Sequence, residues 1–147
     1  MSTLCFRPMR AEDLDAVTAL EEAAFSRPWK REDFSDALRK EEYLYFVAED
    51  ETVLGVAGLI MTPPEADISN VSVAAEARRR GIAKGLLTAL ILEGRKRGLT
   101  DFTLEVRASN TAAIALYEGL GFVCEGIRKA FYSAPREDAR IYWLRKD

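Results

Sequence analysis

The stretch 71–92, VSVAAEARRRGIAKGLLTALIL, limits what this chain can fold into more than any other. Its pattern predicts a strand end, a short loop, a basic turn and a long amphipathic helix, with Ile82, Leu86, Leu87, Leu90 and Ile91 toward a core. The turn is the unusual part. Arg78, Arg79 and Arg80 stand just ahead of the helix, and Lys84 falls in its first turn. A helix start carries partial positive charge and free N–H groups, so it favours acids. Bases also fill the last turn (Arg95, Lys96, Arg97), but there they suit the dipole, and Gly98 is a good stop. A phosphate or pyrophosphate would account for bases at the wrong pole. An arginine-rich loop in water is the plainer alternative. Gly81 and Gly85 favour the anion, because small residues one turn apart let a ligand approach the backbone. No Gly-Lys-Ser/Thr follows, so this is not a P-loop, and the GxGxxG of a dinucleotide fold is absent.

The chain has 147 residues, a length that suggests one domain spanning 1–147 with a substantial core. Apolar residues make up 48% and charged residues 31%, which excludes a disordered chain. No apolar run is long enough to span a bilayer, and no signal peptide opens the sequence, so a cytoplasmic protein without a membrane partner is expected. Cys5 and Cys124 form no disulfide framework or metal spacing, and both are expected to be buried. The net charge of −3 argues against direct nucleic-acid binding and suits a basic protein or amine as partner. Histidine is absent, so acid–base work falls to Glu, Asp, Tyr, Cys, Lys or water.

Along the chain, 4–7 reads as a short strand and 11–25 as a helix burying Leu14, Val17, Leu20, Ala24 and Phe25. Ser26-Arg27-Pro28-Trp29 breaks it, and 31–40 reads as a second helix with Phe34, Ala37 and Leu38 inward. Trp29 is read as a core plug, with a substrate wall as the alternative. Segments 43–48 and 53–61 form a hairpin signal, and 66–73 a third strand of the central region. After the long helix come a strand at 102–106, a helix at 111–118 capped by Ser109-Asn110, and closing strands at 122–127 and 139–144. The order defines a mixed α/β sheet, antiparallel at first, with a parallel strand–helix–strand crossover from 66 to 106.

Arg78-x-x-Gly81-x-Ala83 resembles the Q/R-x-x-G-x-G/A cofactor signature of the GNAT superfamily of N-acetyltransferases, and NTAAIALYEGLGF, 110–122, resembles its second motif. LEVRASNTAAIALYEGLGF, the linker FSRPW, and Tyr132 followed by Glu137-Asp138-Ala139 are similar to the bacterial ribosomal-protein-alanine N-acetyltransferases. The similarity covers essentially the whole chain. It implies a single GNAT-like α/β domain whose mixed, mostly antiparallel sheet splays between its fourth and fifth strands, flanked by helices. It implies acetyl-CoA as donor, no metal, and as acceptor a protein N-terminus, the alanine of a ribosomal protein. The backbone of Val71, Ser72 and Val73 would meet the pantetheine. Arg78, Arg79, Arg80, Gly81, Ile82, Ala83 and Lys84 would hold the pyrophosphate, and Asn110 would reach the pantetheine end. Glu105 would be the general base and Tyr117 the general acid. Trp29 and Tyr132 are candidates for the acceptor site, where Phe131 replaces an expected second tyrosine.

The chemistry of these residues agrees with those roles. An α-amine of pKa about 8 must lose a proton before it attacks a thioester, which a carboxylate can accept. A phenol can return one to a leaving thiolate of pKa about 8.5. A solvated strand glutamate and a packed helix tyrosine are the plainer alternatives for Glu105 and Tyr117. An enzyme for small amines or antibiotics, or a non-catalytic CoA-binding module, remain the competing functions.

Overall fold

The computed structural model describes residues 3–146. Their elements run β1 (Cys5–Pro8), α1 (Leu14–Ala24), α2 (Arg31–Arg39), β2 (Tyr43–Asp50), β3 (Thr52–Thr62), β4 (Glu65–Val73), α3 (Ile82–Lys96), β5 (Asp101–Arg107), α4 (Thr111–Gly119), β6 (Val123–Tyr132) and β7 (Glu137–Leu144). The strands form one sheet in the order β1-β2-β3-β4-β5-β7-β6. Every neighbouring pair is antiparallel except β4 and β5, which are parallel and joined through α3.

Alternation along β2 shows how the sheet separates two cores. Leu44, Phe46 and Ala48 face the core under α3 and α4, together with Ile82, Leu86, Leu87, Leu90, Phe102 and Leu104. Tyr45 and Val47 face the core under α1 and α2, with Leu14, Val17, Phe34 and Ala37. The predicted core face of α3 is therefore observed, with Ile91 only partly buried.

The feature that creates a site is the brevity of the β4–β5 pairing. It covers Glu65↔Asp101, Ala66↔Phe102 and Asp67↔Thr103, then stops. Beyond it β4 stays paired with β3 as far as Val73, and β5 stays paired with β7 as far as Arg107. The two edges facing the gap pair with no strand, so they offer backbone N–H and C=O groups to a ligand. A bulge lies where the strands part. Gly58 pairs with Asn70 but Leu59 with Ile68, which leaves Ser69 as the extra residue and bends β4 away. Tyr45 supports the bulge from below: its hydroxyl donates to Asn70 Oδ1 and lies 2.9 Å from Ser69 Oγ. Gly58 makes room for it, since a Cβ there would fall 2.2 Å from the Tyr45 ring. The splay implied by the sequence is thus present, at the expected strands.

Several details differ from expectation. Cys5 and Cys124 are exposed, because each sits on an edge strand of the sheet, β1 or β6. Ala24 and Phe25 are exposed as well; Glu21 takes the buried position instead. Leu38 is also exposed, at 37%. The Gly85 position is small for packing, not for a ligand, since a Cβ there would lie 2.1 Å from the Phe6 ring. The closing strands run longer than their apolar cores suggested, so Tyr132 ends β6.

Candidate active site

The turn before α3 has the backbone form that an anion requires. Arg79 (φ 71°) and Gly81 (φ 74°) are both left-handed, a pattern found in N–H concavities that bind anions. Gly81 is the N-cap, no acid lies in the first helical turn, and nothing stands within 4 Å of where a Cβ of Gly81 would be. Arg78, Arg79 and Lys84 are exposed and form no ion pair among the described residues. Arg80 does not join them. Its guanidinium pairs with Asp50 Oδ2 at 2.7 Å and ties the turn to the β2–β3 hairpin.

A left-handed arginine costs on the order of 1 kcal/mol that glycine does not. Arg79→Gly should therefore leave the thermal midpoint within about 2–4 °C of the parent. The same variant should raise the KM for the acetyl-CoA that the sequence resemblance implies roughly tenfold at low salt, and by less as salt screens the contact. Steady-state kinetics beside thermal melting checks this; an unchanged KM would remove Arg79 from the anion site.

A cleft of about 1180 Å³ opens from this turn along the gap between β4 and β5. Arg78, Arg79, Gly81, Ile82, Ala83 and Lys84 line one part, and Val71 and Val73 of β4 another. Asn110, Ala113, Leu116 and Tyr117 of the α4 region face them. Both faces of β5 contribute, Leu104 and Val106 from one and Glu105 and Arg107 from the other, so the gap passes through the sheet. The far side is closed by Phe25, Ser26 and Arg27 of the α1–α2 linker and by Phe131 to Pro135 of the β6–β7 turn. Its volume, and a largely apolar lining with Arg78, Arg79 and Lys84 at the α3 turn, suit a ligand with a charged end.

Glu105 is the carboxylate on this wall. Its Oε2 is buried without a hydrogen-bond partner, and its Oε1 lies 3.9 Å from Arg128 Nη1. A buried carboxylate oxygen left without a donor is rare unless something else is to be bound there. Asp67, the last residue of β4 paired with β5, stands on the same face two positions away in register. Burial, and then the negative charge of Glu105, push its carboxyl upward, while Arg128 opposes the shift. Tyr117 is buried against Phe122, and that burial, with a smaller effect of Tyr132, pushes its phenol up to about 12. The hydroxyl is thus protonated at neutral pH and able to donate.

Tyr132 is shaped by Arg107, which the sequence did not single out. The Arg107 guanidinium lies 4.4 Å from the Tyr132 ring centroid. It also donates to Ser133 O at 3.1 Å, Pro135 O at 3.0 Å and Glu137 Oε1 at 3.2 Å. One residue of β5 thereby holds the whole β6–β7 turn over the cleft. Its neighbour Glu105 was found by motif; Arg107 has no spacing signal, since its partners lie 26–30 residues on.

Trp29, like Arg80, does not line the cleft, and Ser72 is left with the backbone role expected of it. Trp29 stacks on Tyr45 at 5.6 Å and meets Phe34 edge-on at 5.1 Å, as a plug of the second core. The Ser72 side chain is buried on the opposite side of β4 from Val71 and Val73, where it donates to Glu21. Only its backbone can serve the gap. Asn110 lines the cleft, but its Oδ1 accepts from Ala113 N–H at 3.2 Å, so it first caps α4. Among the described residues no cluster of His, Cys, Asp and Glu could hold a metal ion, and no helix is long and apolar enough to cross a membrane.

The gap in the mixed sheet thus joins a cationic glycine turn to a wall that carries an unpartnered carboxylate. The chain belongs to the acetyltransferase (GNAT) family, whose model matches residues 14–122 and whose members use acetyl-CoA. It is 38% identical over 139 residues to the ribosomal protein bS18-alanine N-acetyltransferase of Escherichia coli, covering 92% of this chain and 93% of that one. The crystal structure of the Escherichia coli ribosomal-protein-S18-alanine N-acetyltransferase superposes with a TM-score of 0.89 at 36% identity, over 97% of this chain and 94% of that chain. A chain of the NatC complex, solved with Gag peptide and CoA, shares the fold alone, with a TM-score of 0.87 at 22% identity and full coverage of both chains.

Proposed function

We propose that this chain transfers the acetyl group of acetyl-CoA to the α-amine of a protein N-terminus, and that the acceptor is the alanine-starting end of ribosomal protein bS18. The observation that carries the reading is the gap itself. It joins a cationic turn on one side to two acceptor-side loops on the other, with the unpartnered Glu105 Oε2 on its wall. The named relatives supply the acceptor.

In this reading Arg78, Arg79 and Lys84, with the N–H groups at the start of α3, hold the donor's diphosphate. The free edge of β4 at Val71 to Val73 pairs with its amides. Glu105 Oε2 accepts the proton of the incoming ammonium, directly or through one water. The amine nitrogen then attacks the thioester carbon; the C–N bond forms and the C–S bond breaks. Unpaired N–H groups on the gap edge stabilise the oxyanion. The Tyr117 hydroxyl gives its proton to the departing thiolate, and the second proton shed by the acylated nitrogen restores the phenol. Tyr132 and the Phe25–Arg27 segment border the space left for the acceptor chain.

The test is release of CoA with a synthetic peptide bearing the bS18 N-terminus, beside the same peptide blocked at its α-amine. The first should turn over and the second should be inert. Equal rates would move the chemistry to a lysine side chain, and turnover of small amines alone would replace the protein acceptor.

A further inference from the structure

Glu21 is a carboxylate that the reaction does not use. It lies in α1 at 4% exposure, and no lysine or arginine pairs with it among the described residues. A buried carboxyl group without a cation beside it is costly unless its oxygens are hydrogen-bonded. Here each oxygen has one partner, on a different element. Oε1 accepts from Ser72 Oγ of β4 at 2.9 Å, and Oε2 accepts from the Trp29 N–H of the α1–α2 linker at 3.2 Å. Both partners adjoin the cleft without lining it. Val71 and Val73, on either side of Ser72, form its β4 wall, and Phe25, Ser26 and Arg27, just before Trp29, form its far rim.

We infer that Glu21 is a positioning residue that fixes the acceptor-side linker against the donor strand and so sets the width of the acceptor entrance. This rests on the acetyl-transfer reading for its kinetic consequence, not for its structural one. The linker has few other ties. Trp29 is held at its ring by Tyr45, Phe34 and Tyr43, but the segment 25–28 ahead of it is exposed or half-exposed. Glutamine is tolerable here, because its carbonyl can accept from Trp29 N–H while its amide donates to Ser72 Oγ. Removing the side chain frees the linker.

Amide hydrogen exchange on the substrate-free protein reads the tie directly. Glu21→Ala should speed exchange at 26–30 by about tenfold or more and leave α3 and β5 protected, whereas Glu21→Gln should stay within about threefold of the parent. With the N-terminal peptide, Glu21→Ala should raise the peptide KM about tenfold and keep the CoA Kd within about twofold, and Glu21→Gln should rescue it. Should Glu21→Ala fail to fold, Ser72→Ala, which cuts only the β4 tie, should shift the peptide KM and exchange in the same direction. Unchanged exchange in a folded Glu21→Ala or Ser72→Ala protein, or a CoA Kd rising in step with the peptide KM, would overturn the inference. A wild-type protein that acetylates no peptide would instead defeat the proposed function and leave the exchange result to decide the tie.

Discussion

Glu105→Gln is expected to lower kcat/KM for the peptide by about 10²–10⁴-fold at neutral pH, the usual range for loss of a positioned general base. The change keeps the shape of a side chain that packs between Arg128 and the gap, so the fold and CoA affinity should be retained. What it removes is the ability of Oε2 to take a proton. The deficit should shrink as pH rises past the amine's own pKa of about 8, because the acceptor then arrives as free base. A loss that is constant from acid to alkaline pH would mean that Glu105 only shapes the site. A rate equal to the parent at neutral pH would transfer the role elsewhere, with Asp67 on the same face as the first place to look.

Tyr117→Phe is expected to lower kcat by about 10²-fold, with the peptide and donor KM little changed. The ring that packs on Phe122 is kept, so stability should hold. Burial raises the phenol to about 12, above its unfolded value near 10. The sign follows: folding favours the protonated form, the contribution to stability is complete below pH about 10, and it is lost as pH rises through about 12. Tyr117 therefore keeps its proton across the working range and cannot account for any pH dependence near neutrality. The same exclusion of water that raises the phenol also raises a thiolate forming beside it, so the proton can pass between them. A Tyr117→Phe rate within about threefold of the parent would leave the tyrosine as packing alone.

The frame of the molecule was legible where local chemistry and periodicity agreed. Ile82, Leu86, Leu87 and Leu90 predicted the buried face of α3, and the order of strands and helices predicted a mixed sheet with one parallel crossover. The charged turn pointed to an anion site as an expectation, yet charge alone could not distribute its members. Arg80 is drawn to Asp50, thirty positions earlier, and that contact depends on where the β2–β3 hairpin comes to rest. Gly85 misled for a related reason: a small residue serves a neighbour as well as a ligand, and its neighbour Phe6 arrives from a distant strand. Both cysteines were misplaced because apolar character says nothing about sheet order, and both landed on edges. The acceptor side was the least legible. The Glu21–Ser72 tie and the ties of Arg107 to the β6–β7 turn span 26–51 residues, which no window of sequence contains.

The central claim is that the gap between β4 and β5 binds its donor through the diphosphate at the α3 turn. Calorimetric titration of the folded protein with CoA, and in parallel with pantetheine, tests this most directly. CoA should bind with a micromolar constant that weakens as salt rises, and pantetheine, which lacks the diphosphate, should bind about 10²-fold more weakly or not at all. Equal affinity for the two, or no heat with CoA at millimolar concentration, would contradict the account.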